Sequence, residues 1–237
     1  MILKLIATPI GNIEDISVRA LKALQNAEII IGEEPKACRK ILTDLGISPR
    51  DKQMYFLNEH SKPDQLKELI EICKFENACL VSDCGTPAFC DPGADLVKGC
   101  REQGVQIEVL PGPSSLMSFI SLLGERWDKF SFLGFPPRDK SDRDQFFKNL
   151  KSHPHPVFFL EAPYRLKATL DSLNETLGNT KFHLGANLTA LEQEYFFDTA
   201  SNISKKSKTS KPPSSSASTP NLSANHSFFS WPTNSVA

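Results

Sequence analysis

Short continuous apolar runs alternate with amphipathic stretches along most of the chain, and turn residues mark nearly every change of pattern. Leu3–Ala7 reads as a strand that ends in Thr8-Pro9-Ile10-Gly11-Asn12, a turn signal. Asp15-Ile16-Ser17 opens a helix with Val18, Leu21 and Leu24 at helical spacing. Residues 28–32 predict a second strand, 37–45 a helix stopped by Gly46, and 54–57 a third strand. A helix from Pro63, tolerated in a first turn, runs to about Phe75. Residues 78–81 are apolar throughout, as in a parallel strand covered on both faces. A helix follows Asp91-Pro92-Gly93, and residues 105–110 form a further strand, ending at Pro111-Gly112-Pro113-Ser114-Ser115, where another helix begins. This alternation predicts an α/β domain with a largely parallel sheet over about residues 1–112.

Beyond residue 112 the pattern changes. Strands are expected at 130–135, 156–160, 181–187 and 194–197, with helices at 141–151 and 164–177. These make a second α/β domain, residues 113–200, whose strand order stays open. From residue 201 the pattern fades. Residues 201–237 hold four Lys, no Asp or Glu, and fifteen Ser or Thr. Such a segment buries little apolar area and is expected to be a poorly ordered, low-complexity tail, with Phe228, Phe229 and Trp231 as its only anchors.

The tail changes the meaning of the net charge. The whole chain of 237 residues carries 27 basic and 28 acidic side chains, a charge of -1. Residues 1–200 hold 23 basic and 28 acidic ones, so an acidic body precedes a basic tail. Coating of nucleic acid by overall charge is excluded; any such contact needs a local patch. Arg138, Lys140, Arg143, Lys148 and Lys151 form one cluster, with Phe135 and Tyr164 as stacking faces, or else a solvated helix face with core aromatics. No apolar run approaches the ~18–20 residues that span a bilayer, and no signal peptide is read at the start. Six cysteines without CxxC spacing predict reduced thiols, a cytoplasmic location and no metal site.

Candidate chemistry lies in three loops that follow apolar strands, residues 8–12, 82–87 and 111–115. Ligands of open α/β sheets bind outside the carboxyl ends of strands. Gly and Pro let backbone approach a ligand closely, and Ser, Thr and Asp offer hydrogen bonds. The chain has no GxGxxG, no GxxxxGK[ST] and no GxSxG, and no histidine pairs evidently with Ser82 or Ser114. Hydrolase and kinase readings lack support.

The wording of these loops resembles the ribosomal RNA branch of the tetrapyrrole methylase superfamily. The carriers are Thr8-Pro9-Ile10-Gly11-Asn12 with Asp15-Ile16 and Arg19-Ala20-Leu21, then Val81-Ser82-Asp83-Cys84-Gly85-Thr86-Pro87 with Asp91-Pro92-Gly93, then Leu110-Pro111-Gly112-Pro113-Ser114. The resemblance covers about residues 1–200. It implies two α/β domains with a cleft for S-adenosylmethionine (SAM) between them, and a homodimer. It places Pro9 near the adenosine, Gly85 and Thr86 in contact with the cofactor, and Asp83 in support of the loop. Ser114 and Ser115 close the cleft, and Ala186 lines the pocket. It implies methylation of a cytidine 2′-oxygen in 16S ribosomal RNA, with that RNA or the small ribosomal subunit as partner.

A ribose hydroxyl needs a base to take its proton. Candidates are Glu33, Glu34 and Glu161, the last with Arg165 in Glu161-Ala162-Pro163-Tyr164-Arg165, a segment similar to a Glu…Arg element of the family. A structural ion pair is the alternative for Glu161 and Arg165, and a solvated helix start for Glu33 and Glu34. The chain departs from the family at Glu33-Glu34-Pro35-Lys36, where relatives carry Glu-Asp-Thr-Arg. It departs again at Ala186-Asn187-Leu188-Thr189-Ala190, where they carry an Arg-Glu-Leu-Thr-Lys type of segment. These departures leave two alternatives open: carbon methylation of a tetrapyrrole precursor, or a SAM- and RNA-binding protein without catalysis.

Overall fold

A computed structural model describes residues 1–207 and 227–231. The chain divides into two compact units, Met1–Ser115 and a second from Leu116 onward.

The first unit is built from β1 (Ile2–Ile6), α1 (Val18–Asn26), β2 (Ile29–Gly32), α2 (Pro35–Asp44), β3 (Gln53–Phe56), α3 (Pro63–Phe75), β4 (Ala78–Val81), α4 (Gly93–Glu102) and β5 (Gln106–Leu110). Its sheet has the order β3-β2-β4-β1-β5, and every pairing is parallel. Side chains alternate across the sheet with period two. Leu3, Leu5, Ile29, Ile31 and Leu80 pack with Leu69 and Cys73 of α3 and Leu96 and Cys100 of α4. Ile6, Ile30, Cys79 and Val81 pack with Leu24 of α1 and Cys38 and Leu42 of α2. Both faces are thus covered, which is why β2 and β4 read as unbroken apolar runs.

Helix starts follow local chemistry. The Ser17 hydroxyl accepts from the Ala20 N–H at the head of α1, and the Glu34 carboxylate accepts from the Ala37 N–H at the head of α2, with Pro35 in the first turn. The chain crosses from β1 through β2 to β3 with α1 and α2 on one face, then returns through β4 to β5 with α3 and α4 on the other. The direction reverses between β1 and β4, which lie side by side. Chain leaves these two strands toward opposite faces, and ligands of such sheets bind at that switch point.

The second unit holds α5 (Ser115–Leu123), β6 (Ser131–Phe132), α6 (Lys140–Leu150), β7 (Val157–Glu161), α7 (Leu166–Leu177), β8 (Lys181–Ala186), β9 (Glu194–Thr199), α8 (Ala200–Ser207) and β10 (Ser227–Trp231). A single 3-10 turn, Pro163–Arg165, links β7 to α7. Its sheet has the order β6-β7-β10-β8-β9. β6 and β7 are parallel, and β10 is antiparallel to both β7 and β8. Hence β6, β7 and β8 run one way, and their carboxyl ends share one edge.

Two parts of the expected tail are therefore regular elements. Residues 200–207 form a helix that buries Ile203, and Lys206 pairs with Asp198 at 2.9 Å. Residues 227–231 form a strand inside the sheet, not at its margin. Composition averaged over 37 residues hides a five-residue aromatic strand. Phe229 is fully buried, stacked on Phe159 at 4.7 Å between centroids and 5.4 Å from Phe182. The Pro212–Ser216 run of the expected tail lies outside the described residues.

Candidate active site

The three loops singled out above meet at the carboxyl ends of β1, β4 and β5. Thr8 and Gly85 pair backbone to backbone: the Thr8 N–H donates to the Gly85 carbonyl at 2.9 Å and the Gly85 N–H to the Thr8 carbonyl at 3.2 Å. The buried Thr8 hydroxyl donates to the Ser82 carbonyl at 3.1 Å, and the Ser82 hydroxyl to the Gly85 carbonyl at 2.9 Å. Gly85 has a φ of +85°, and a Cβ there would stand 3.3 Å from the Ile10 side chain. Gly112 lies so close to β1 that its Cβ would stand 3.1 Å from that of Ala7. The Thr86 hydroxyl donates to the Pro113 carbonyl at 3.3 Å. Of the sequence-derived residues, Pro9 and Gly85 are buried, Ser114 and Ser115 half-buried, and Thr86 exposed.

Asp83 faces elsewhere. Its carboxylate accepts from the Glu34 N–H at 3.2 Å, tying the end of β4 to the head of α2. The Asp83 N–H donates in turn to the Glu33 carboxylate. Asp91 accepts from the N–H groups of Ala88 and Gly93 at 2.8–2.9 Å and so fixes the loop after β4. Glu33, Asp83 and Asp91 form an acidic cluster beside the switch point. Burial, then the charges of Asp91 and Asp83, raises the Glu33 pKa from 4.5 to about 7, against the lowering effect of the Asp83 N–H. Burial likewise raises Asp83 and Asp91. A carboxyl poised near neutrality can take or give a proton at working pH.

The second unit holds Glu161, Arg165 and Ala186, all at the shared edge of β6, β7 and β8. Glu161 is fully buried. Its carboxylate pairs with Arg165 Nε at 3.0 Å and accepts from the Ala162 N–H at 2.8 Å and the Thr169 hydroxyl. Arg165 also donates to the carbonyls of Pro136 and Pro137 at 2.5 and 3.2 Å. These bonds fix the Pro163–Arg165 turn and the loop after β6.

Ala186 ends β8 and leads into Asn187 (φ +51°) and Thr189 (φ +63°). Among the described residues the non-glycine positions with positive φ are these two and Ala88 (φ +60°), in the loops after β8 and β4. For β-branched Thr189 this is strained, and such strain gathers at ligand-clamping loops. Sequence reading missed it: the residues around Ala186 read as the end of a strand, and nothing local marks the left-handed positions that follow. Gly185 serves packing, since its Cβ would stand 2.7 Å from the Phe119 ring.

The expected basic cluster is partly spent within the fold. Arg143 is buried and donates to the Ser172 hydroxyl and the Arg138 carbonyl. Lys140 pairs with Asp144 at 2.8 Å and Glu175 at 2.6 Å. Arg138, Lys148 and Lys151 remain exposed. All six cysteines are free thiols, no group of three or more His, Cys, Asp or Glu side chains among the described residues could hold a metal, and no helix among them is long and apolar enough to cross a membrane.

Comparison with known proteins places this geometry. The family profile for tetrapyrrole (corrin/porphyrin) methylases matches residues 3–204. Ribosomal RNA small subunit methyltransferase I of Thermotoga maritima is 35% identical over 193 residues, 81% of this chain and 85% of that protein. The enzyme of the same name from Mycoplasma genitalium is 34% identical, over 84% of this chain and 73% of that one. The one from Escherichia coli O157:H7 is 34% identical, over 76% and 62%. Among solved structures, a diphthine synthase superposes with a TM-score of 0.68 at 15% identity, covering 97% of this chain and 89% of its own. Uroporphyrin III C-methyltransferase from Thermus thermophilus superposes at 0.61 and 14%, covering 97% of each. Matched along most of its length by the profile and by these relatives, the chain belongs to the tetrapyrrole (corrin/porphyrin) methylase family, in the branch of the ribosomal RNA small-subunit methyltransferases I.

Proposed function

We propose that this protein is a SAM-dependent methyltransferase acting on a ribose 2′-hydroxyl of a cytidine in 16S ribosomal RNA. The carrying observation is the meeting of the three family loops at the switch point between β1 and β4, in a chain 35% identical to a ribosomal RNA methyltransferase. Uroporphyrin III C-methyltransferases share the fold at only 14–15% identity, which favours the RNA substrate over a macrocycle. The loop cluster fits SAM in its chemistry. Gly85 and Gly112 permit close backbone approach, and the acidic side chains nearby suit a cation bearing ribose hydroxyls.

When bound, SAM supplies an electrophilic methyl group on a good leaving group, so the protein's task is alignment and proton removal. Pro9, Gly85, Thr86, Ser114 and Ser115 would hold the cofactor, with Asp83 bracing their loop; Ala186 is assigned to it on family resemblance. Glu33 would accept the hydroxyl proton. Glu161 is reassigned from base to positioning residue, because its buried carboxylate is filled by Arg165, Thr169 and Ala162. We propose a cytoplasmic homodimer as well, on the same resemblance; a light-scattering mass of twice 26.3 kDa would support the dimer, and a mass of 26.3 kDa would overturn it.

Primer extension across 16S ribosomal RNA, from cells with and without this gene, tests the reading. Loss of one 2′-O-methyl stop supports it, and an unchanged pattern overturns it.

A further inference from the structure

The loops after β6 and β7 carry two aromatic side chains to the surface. Tyr164 is 79% exposed on the Pro163–Arg165 turn, and Phe135 is 37% exposed on the loop after β6. Their supports are rigid. Arg165 bonds the turn to the Pro136 and Pro137 carbonyls and to the buried Glu161, and Arg143 holds the Arg138 carbonyl at 2.8 Å. A ring as exposed as that of Tyr164, on a backbone this firmly fixed, contributes little to the fold's own core. Its backbone is already fixed, so only the two side-chain torsions of the ring are ordered when a ligand covers it.

We propose that Tyr164, with Phe135 and Arg138 beside it, is the stacking platform for an unpaired base of the RNA substrate; this rests on the ribosomal RNA reading above. A flat aromatic face suits any base, and RNA presents unstacked bases in its single-stranded loops. The charges nearby point the same way. Arg165 is engaged by Glu161, Lys140 by Asp144 and Glu175, and Arg143 by Ser172 and the Arg138 carbonyl. The Arg138 guanidinium has no ion pair among the described residues. With the exposed Lys148 and Lys151 of the same cluster it makes three cations, which fit a few phosphates of an RNA loop. Three cations do not match a tetrapyrrole precursor, whose rim carries many carboxylates.

The test uses the full chain, with fluorescence anisotropy on a hairpin RNA copied from 16S ribosomal RNA, SAM calorimetry, and methylation of unmodified small subunits. Tyr164→Ala is expected to bind the hairpin roughly 5- to 100-fold more weakly. It should raise KM for subunits with little change in kcat, and keep SAM affinity. Tyr164→Phe, which keeps the ring, should restore hairpin binding to within about twofold. If wild type methylates subunits and Tyr164→Ala binds RNA equally well, the platform alone is overturned. Equal impairment of the Phe and Ala variants also overturns it, by assigning the effect to the hydroxyl. If wild type neither binds the hairpin nor methylates subunits, the substrate reading fails and the platform with it. Binding of a uroporphyrinogen that Tyr164→Ala abolishes, with RNA binding unmoved, reassigns the platform to a macrocycle.

Discussion

At neutral pH Glu33 is divided between its charged and neutral forms, because burial and the charges of Asp91 and Asp83 hold its pKa at about 7. A base in that position makes kcat/KM rise with pH through about 7, and Glu33→Gln should lower it by ~10²–10⁴-fold and flatten the profile. An active variant with an unchanged profile would assign the base elsewhere. The same shift has a stability consequence of defined sign. The folded state holds a proton that the unfolded chain releases near 4.5, so stability falls as pH rises from 4.5 through 7. Glu33→Gln should therefore be more stable than wild type at pH 8, by about 1–3 kcal/mol, and near parity at pH 4.5, as urea titrations at both pH values will show. Gly85 carries the other sharp prediction. Its φ of +85° and the Ile10 side chain leave no relaxed place for a β-branched residue. Gly85→Val should cost about 1–3 kcal/mol and weaken SAM binding in calorimetry. Both positions are legible in sequence as candidates, since each follows an apolar strand. The direction of the Glu33 shift is not legible, because Asp91 and Asp83 lie far from it along the chain. Glu161 shows the opposite limit: its family-like spacing to Arg165 reads as catalysis or as an ion pair, and what favours the ion pair, burial and the Thr169 contact, has no local signature.

Elements of the first unit are legible almost throughout, because each strand and helix is a local pattern closed by its own turn. Strand order is not local. Nothing in the wording of β10 says that it enters between β7 and β8, some sixty-five residues from one and forty from the other. The surrounding Ser and Pro lower the average apolar content, and the burial of Phe229 appears only with its partners Phe159 and Phe182 in place. A strand in the interior of a sheet carries more than its length suggests, since its loss strips one paired edge from each of two neighbours. Phe229→Ala should destabilise the protein by about 3–5 kcal/mol and speed hydrogen exchange in β7 and β8. Exchange unchanged in both strands would mean that β10 contributes nothing to the sheet's stability.

For the whole molecule, net charge is a poor guide to RNA binding. A charge of -1 averages an acidic body and a basic tail, and the visible cationic cluster loses Lys140 and Arg143 to contacts within the second unit. Three cations of that cluster stay exposed: Arg138, Lys148 and Lys151. Counterion release by single-stranded RNA follows the number of phosphates neutralised, so three contacts give a slope of log K against log salt of about -2. Stacking on Tyr164 adds affinity without adding to that slope, because a ring displaces no counterions. Anisotropy titrations between 50 and 200 mM salt should therefore show a shallow dependence, close to -2 for wild type and for Tyr164→Ala alike, with the two lines offset in affinity. Arg138→Gln should reduce the slope by less than one and leave the offset in place. A slope steeper than about -5 would require a larger basic surface than this cluster offers, and would move RNA recognition away from the edge of β6, β7 and β8.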